Sequence, residues 1–103
     1  MLQRRGGYEG PITVVGADGT EFEADAVLVG FVDRLPLLGP ALDAYMDGAK
    51  SWNGTIETTE PESLAALRNT RVRLRTPDGR EGVATVLDET GTVKGAGPPP
   101  FDF

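Results

Sequence analysis

Residues 21–33 read EFEADAVLVGFVD, and this stretch decides the fold class. Its first half alternates with a period of two: Phe22, Ala24, Ala26 and Leu28 share one face, Glu21, Glu23 and Asp25 the other. That is the pattern of a half-buried β-strand. From Val27 to Val32 both faces become apolar, so this end of the strand expects cover on both sides. Gly30 lies inside the apolar run and predicts a bulge or sharp bend, a device that curls a sheet closed.

The flanking residues extend the β reading. Upstream, Ala17-Asp18-Gly19-Thr20 is a hairpin turn, because Asp-Gly supplies the left-handed position a tight turn needs. Gly10-Pro11 opens a strand over Ile12 to Val15, and residues 1–9 (MLQRRGGYE) read as a flexible lead-in. Downstream, residues 34–50 break the pattern, since Pro36 and Pro40 interrupt any regular element. Ala41 to Asp47 reads as about two helical turns stopped by Gly48, so the whole stretch is expected to be an insert that caps one end of the fold.

A third strand is expected over Ser51 to Thr58, with Trp52, Gly54 and Ile56 on one face. The alternative sets Asn53-Gly54 at a hairpin tip; the strand is preferred because no second alternating arm precedes Lys50. Thr59 and Glu62 have capping-box spacing and Pro61 sits at the start of the turn, which predicts a short helix through Leu67. Arg71 to Thr76 then sets Val72 and Leu74 against Arg71, Arg73 and Arg75. Pro77-Asp78-Gly79-Arg80 is a second hairpin turn, followed by a strand over Glu81 to Leu87, a turn over Asp88 to Gly91 and a last strand over Thr92 to Ala96. Six short strands with one or two short helices predict a mainly β fold, a small antiparallel six-stranded barrel or barrel-like sandwich. Residues 97–103 form a proline-rich tail of polyproline II character, expected to fold over a sheet edge.

Composition narrows the chemistry. The 103 residues fit one domain, 1–103, which buries roughly two thirds of its unfolded surface. There is no cysteine and no histidine, which removes thiol nucleophiles, zinc-thiolate sites, Ser-His pairs and the commonest metal ligand. No cofactor and no metal are therefore expected. The net charge of −6 argues against nucleic-acid binding, and no run approaches the ~18 apolar residues of a membrane helix. Met1 to Gly10 has two arginines and no apolar core, so a cytoplasmic location is expected rather than secretion. Without secretion, the Asn53-Gly54-Thr55 glycosylation acceptor stays idle.

Four short motifs recur in a recognisable order: Tyr8-Glu9-Gly10-Pro11, Leu28-Val29-Gly30, Trp52-x-Gly54, and Gly95-x-Gly97-x-Pro99-Pro100-Phe101. Together they resemble a small actinobacterial β-domain family of uncharacterised function, found alone or fused to the C-terminal end of flavin-dependent monooxygenases. The resemblance spans nearly the whole chain. Two departures stand out. The family pattern carries a histidine just after the Leu-x-Gly step, where this chain has Phe31, and it joins that strand to the tryptophan by a short link, where this chain inserts the stretch 34–50.

A six-stranded barrel is too narrow to hold a ligand inside, so a pocket is expected at an open end under the 34–50 insert. Phe31, Leu35, Leu38, Tyr45, Met46 and Trp52 are the expected lining, with Leu37 and Leu42 available beside them. A leucine plug that binds nothing is the plainer account. Asp33, Tyr45 and Arg73 are the candidate catalytic groups, Asp33 as a base if desolvated. The pairs Asp43/Asp47 and Asp88/Glu89 lack the ligand count of a calcium loop and read as surface charge. Arg71, Arg73 and Arg75 form a basic stripe that either pairs with Glu21, Glu23 and Asp25 or meets an acidic partner.

Two functional expectations follow. The first is a cofactor-free binding protein for a hydrophobic small molecule, a non-redox cyclase or isomerase, or an accessory protein, in bacterial polyketide-like secondary metabolism, working by shape and proximity. The alternative is a non-catalytic interaction module that partners a flavin-dependent monooxygenase. A homodimer formed by pairing edge strands is compatible with either.

Overall fold

Two loops of the same design set the frame. In residues 16–20, the Gly16 N–H donates to the Thr20 carbonyl (2.8 Å) and the Gly19 N–H to the Gly16 carbonyl (3.0 Å), with Gly19 at φ +87°. Residues 76–80 repeat the pattern, Thr76 N–H to Arg80 carbonyl and Gly79 N–H to Thr76 carbonyl, both 2.9 Å, with Gly79 at φ +91°. This is a three-residue hairpin loop ending on a left-handed glycine, and in both places the Asp-Gly dipeptide that predicts it forms it.

The computed structural model describes residues 2–36 and 45–103, with the backbone alone for residues 36, 45 and 46. Among these residues the strands are β1 Leu2–Val15, β2 Glu21–Pro36, β3 Tyr45–Glu57, β4 Arg71–Arg75, β5 Glu81–Val86 and β6 Thr92–Ala96, with one helix, α1 Pro61–Ala66. Every pairing is antiparallel, and the sheet closes on itself in the order β1-β2-β3-β6-β5-β4. The six-stranded barrel expected from the turn spacing is therefore the fold.

The interior is filled by its own side chains. Val14, Ile56, Leu74, Ala84, Val86 and Val93 are each 0% exposed, supplied by five different strands at alternate positions. One end of the barrel is closed by α1, whose Leu64 is buried in the core. That helix does not start on a capping box, because Glu60 occupies the cap and makes no side-chain cap bond. Thr58 Oγ1 instead accepts the Glu60 N–H (3.1 Å) and donates to the Glu23 carbonyl (3.2 Å), tying the helix entry to β2.

The strands are longer than the sequence suggests at three places. The lead-in expected over residues 1–9 is strand: Leu2 to Glu9 pair with β2 from Asp33 back to Val27, across an irregularity between Arg4 and Gly6. Residues 34–36 and 45–50, expected as part of an irregular insert, continue β2 and β3 as a paired ladder that includes Arg34–Asp47 and Leu35–Met46. The helix expected over Ala41 to Asp47 is contradicted at its last turn, since residues 45–47 are strand; its first part, with Leu37, Leu38, Leu42 and Asp43, lies outside the described residues.

The physical reason is the apolar tract of β2. Val27 to Val32 cannot remain unpaired, and the glycine- and arginine-rich segment before Gly10 has backbone groups free to pair with it. Closure, however, uses only Thr13–Val15 of β1 against β4 and Asn53–Thr55 of β3 against β6. The rest of β1, β2 and β3 therefore runs on as an arm in which β2 is flanked on both sides from Asp25 to Asp33, a three-stranded stretch about 27 Å long, continued by β2 and β3 alone to Pro36 and Tyr45; it accounts for a molecule of 55 × 26 × 20 Å.

Candidate functional site: the arm and its tail lock

The two faces of the arm differ. On the inner face, Leu28, Gly30 and Val32 are buried beneath the tail of residues 97–103. The tail crosses the barrel mouth from β5 to β1: Pro100 lies against Gly82, Phe101 against Trp52, and Phe103 against Gly30 and Gly6. Trp52 and Phe101 meet edge to face, with ring centroids 6.2 Å apart, a favoured aromatic geometry. Phe101 and Phe103 follow at 5.5 Å. Trp52 Nε1 donates to the Gly97 carbonyl (3.0 Å), Lys50 Nζ donates to the Phe103 carbonyl (2.8 Å) and sits 5.3 Å from the Phe103 ring centre. Arg80 pairs with Asp102 (2.9 Å). The tail thus plugs the barrel mouth instead of covering a sheet edge.

Glycines make that plug possible. A Cβ on Gly95 would lie 2.1 Å from the Trp52 ring, on Gly82 2.6 Å from Pro100, and on Gly30 2.7 Å from the Phe103 ring. The motif residues Gly30, Trp52, Gly95, Pro100 and Phe101, scattered through the sequence, are therefore one packing unit. Trp52 is 2% exposed, a core residue that anchors the tail.

The outer face of the arm carries Leu2, Phe31, Val29 and Val27 as an apolar stripe, because these positions alternate with the buried ones. Leu2 is 64% and Val27 44% exposed. An open hollow of about 530 Å³ lies against β1 beside Val27, lined by residues 4–9 of β1 and by Val27 and Leu28 of β2. A second hollow of about 280 Å³ continues from Glu9 and Val27 to Asp25, Thr55 and Glu57. Arg5 is already engaged by Asp47 (3.1 Å) and Gln3 (2.9 Å). Tyr8 donates its hydroxyl to the Pro11 carbonyl (2.5 Å); burial raises its pKa, and the carboxylates of Asp78 and Asp25 add to the rise.

Among the described candidate residues, Trp52 is in the core, Phe31, Asp33 and Leu35 are on the arm, and Arg73 is on the barrel wall. Phe31 and Asp33 are half-buried on the arm, and Leu35 is 42% exposed near its far end. Leu38 lies outside the described residues, and Tyr45 and Met46 are placed by their backbone alone, opposite Pro36 and Leu35. Arg73 lies on the barrel wall, exposed, and pairs with Glu81 (3.6 Å). Among the described residues the arginine stripe meets β2 only through the Arg75–Glu21 ion pair, because β4 lies between β1 and β5 and has no ladder to β2. Asp47, expected on a helix beside Asp43, is on β3. Among the described residues no group of three or more acidic side chains is placed to hold a metal ion, and no helix is long and apolar enough to cross a membrane.

The sequence reading missed the outer hollow because its walls are glycine and charged residues that only the β1–β2 register brings beside Val27. The usable signal was the two-faced apolar run of residues 27–32, which demands a partner on each side.

Comparison with family models, curated proteins and solved structures finds no match. The barrel, the arm and the locked tail therefore carry the functional argument.

Three turn carboxylates give this frame an acid dependence. The Thr20 N–H holds Asp18 below the ordinary carboxylate pKa; hydrogen bonds from the Thr76 hydroxyl and the Arg80 N–H do so for Asp78, and from the Thr90 hydroxyl and the Thr92 N–H for Asp88. A depressed folded-state pKa stabilises above the unfolded value of about 3.9 and is lost as pH falls through the folded value. The urea midpoint is thus expected to be level from neutral pH to about 5 and to fall below about 4. Asp18→Asn, Asp78→Asn and Asp88→Asn combined should flatten that fall, and an unchanged acid slope in the triple variant would contradict the assignment.

Proposed function

We propose that this domain is a non-catalytic interaction module whose three-stranded arm docks a partner enzyme. One observation carries the reading: the arm projects beyond the closed barrel with two open strand edges, while the barrel itself is filled with side chains and plugged at both ends. An open edge presents unpaired backbone donors and acceptors, and adding a strand to it is an established mode of recognition. The β1 edge is guarded by the irregularity at Arg4/Gly6, by two arginines and by Pro11. Residues 45–51 of β3 contain no proline and, among the described residues, pair only with β2, so they are the docking edge. The resemblance of the four motifs points to a flavin-dependent monooxygenase as the partner.

A second reading, binding of a small hydrophobic molecule, is favoured by the hollow beside Val27, where Arg4 would meet an acidic group on the ligand. The pocket expected under residues 34–50 depends on residues outside the described set.

Co-elution with the flavin-dependent monooxygenase encoded nearest to it is expected at micromolar concentration, with slowed amide exchange confined to residues 45–51. Separate elution at that concentration, or protection elsewhere, would overturn the docking edge. A small molecule carried through purification and detected by native mass spectrometry would favour the second reading instead.

A further inference from the structure

The outer face of the arm is bipolar. The register puts Arg4 opposite Phe31, Gly7 opposite Val29, Glu9 opposite Val27 and Asp25 opposite both Pro11 and Glu57. Along β2 the face therefore runs from the half-buried Asp33 opposite Leu2, to a cation level with residue 31, through Val29 and Val27, to carboxylates level with residues 27 and 25. Arg4, Glu9, Asp25 and Glu57 are all exposed, and among the described residues none of the four has an ion-pair partner. Asp25 and Glu57 stand directly opposite one another, a like-charge pair that destabilises a sheet unless a cation approaches.

We propose that this face is the interface of a homodimer in which a second copy packs its own arm face to face, strands antiparallel. The geometry is self-complementary. A two-fold axis at the level of residue 28 places level 31 of one copy over level 25 of the other, with Val27 and Val29 of both copies straddling the axis. Arg4 of one copy then reaches the Asp25–Glu57 pair or Glu9 of its partner, and the same contact occurs twice, as an isologous interface requires. Rotation about an axis along the strands would instead set Arg4 over uncharged Ser51, leaving the carboxylates unmatched.

Size sets the strength. A face about 27 Å long and three strands wide, about 14 Å, presents roughly 380 Å² per copy. The total is in the range of weak, transient interfaces, so a dissociation constant of roughly tens of micromolar is expected. It leaves the β3 edge free and turns the open hollow beside Val27 into an enclosed one. The proposal therefore stands apart from the partner docking above and is tested on the isolated chain.

Sedimentation velocity on the full chain is expected to show a monomer–dimer equilibrium that weakens as salt rises. Arg4→Glu and Asp25→Arg should each weaken it about tenfold or more, because each change replaces attraction by repulsion twice. The combined R4E/D25R variant should recover most of the lost affinity, and Val27→Asp should abolish association. All these positions are exposed, and circular dichroism checks that each variant keeps its strands. A chain that stays monomeric to several hundred micromolar overturns the proposal. So does a dimer indifferent to V27D, which would indicate edge pairing, or a double variant no better than the singles.

Discussion

Replacing Gly95 by alanine is expected to destabilise the barrel by about 3 kcal/mol, the upper end of overpacking costs. The added Cβ would lie 2.1 Å from Trp52 Cε2, 2.2 Å from Cδ2 and 2.4 Å from Nε1. A flexible side chain would swing aside, but this ring cannot. It is 2% exposed, wedged edge-on against Phe101, and held by its hydrogen bond to the Gly97 carbonyl. Either β6 leaves its register with β5, where Gly95 faces Ala84, or the indole is expelled and takes the tail with it. For a domain this size such a loss lowers the melting temperature by roughly 12–24 °C. The double variant Gly95→Ala/Trp52→Phe separates the two causes, because the smaller ring leaves room for the methyl group. Its loss should be clearly less than the sum of the single losses. Additive losses would place the clash somewhere other than the indole.

Phe101→Ala is expected to be nearly as costly. Phe101 is 8% exposed and belongs to the core cluster, although it comes from the tail. Truncating a buried phenylalanine costs about 3–5 kcal/mol when the site cannot collapse. Phe101 lies outside the strands and its backbone can relax, so a value near 3 kcal/mol is expected. The exchange pattern is the sharper readout. Amides around Gly30, Val32 and Lys50 should lose protection first, because the tail is what covers the inner face of the arm, while β4 and β5 keep theirs. Uniform loss across all six strands would mean that the arm does not open as a separate unit. Asp102→Ala serves as the control: its pairing with Arg80 is solvent-exposed, and such pairs contribute well under 1 kcal/mol.

Both effects sit on residues that the sequence analysis valued for another reason. Trp52 was a candidate lining residue and Gly95 part of a signature; together they are the seat of the tail. Gly30, Trp52, Gly95, Pro100 and Phe101 of those motifs are thus accounted for by packing, as notches and the rings that fill them. The surfaces that packing does not use are the arm edges and its outer face, which is why the functional proposals fall there.

The sequence by itself determined a mainly β fold of six antiparallel strands, a barrel or barrel-like sandwich, whose closure the tertiary structure shows. Asp18-Gly19 and Asp78-Gly79 specify their loops through local geometry, and the period of two in residues 21–28, 71–75 and 81–86 chooses which side chains face inward. Both are short-range rules, so they survive without knowledge of the partner strands. Only the tertiary structure decided where the strands end and what the tail does. Residues 2–9 carry no alternation and become strand because the apolar run of residues 27–32 supplies their partner; the same run pairs β3 back to Lys50, and Arg34 to Pro36 continue that ladder to Tyr45. The tail reads locally as an extended proline segment, and its place in the barrel mouth depends on spaces left by Gly6, Gly30, Gly82 and Gly95 on four different strands. A glycine in one strand signals that something approaches closely, but what approaches is fixed by contacts between residues distant in the chain, which local propensity cannot encode. The two-faced apolar stretch that opened the case for a barrel thus meant more than a buried strand: one face receives the tail, and the other is the surface we assign to a second copy.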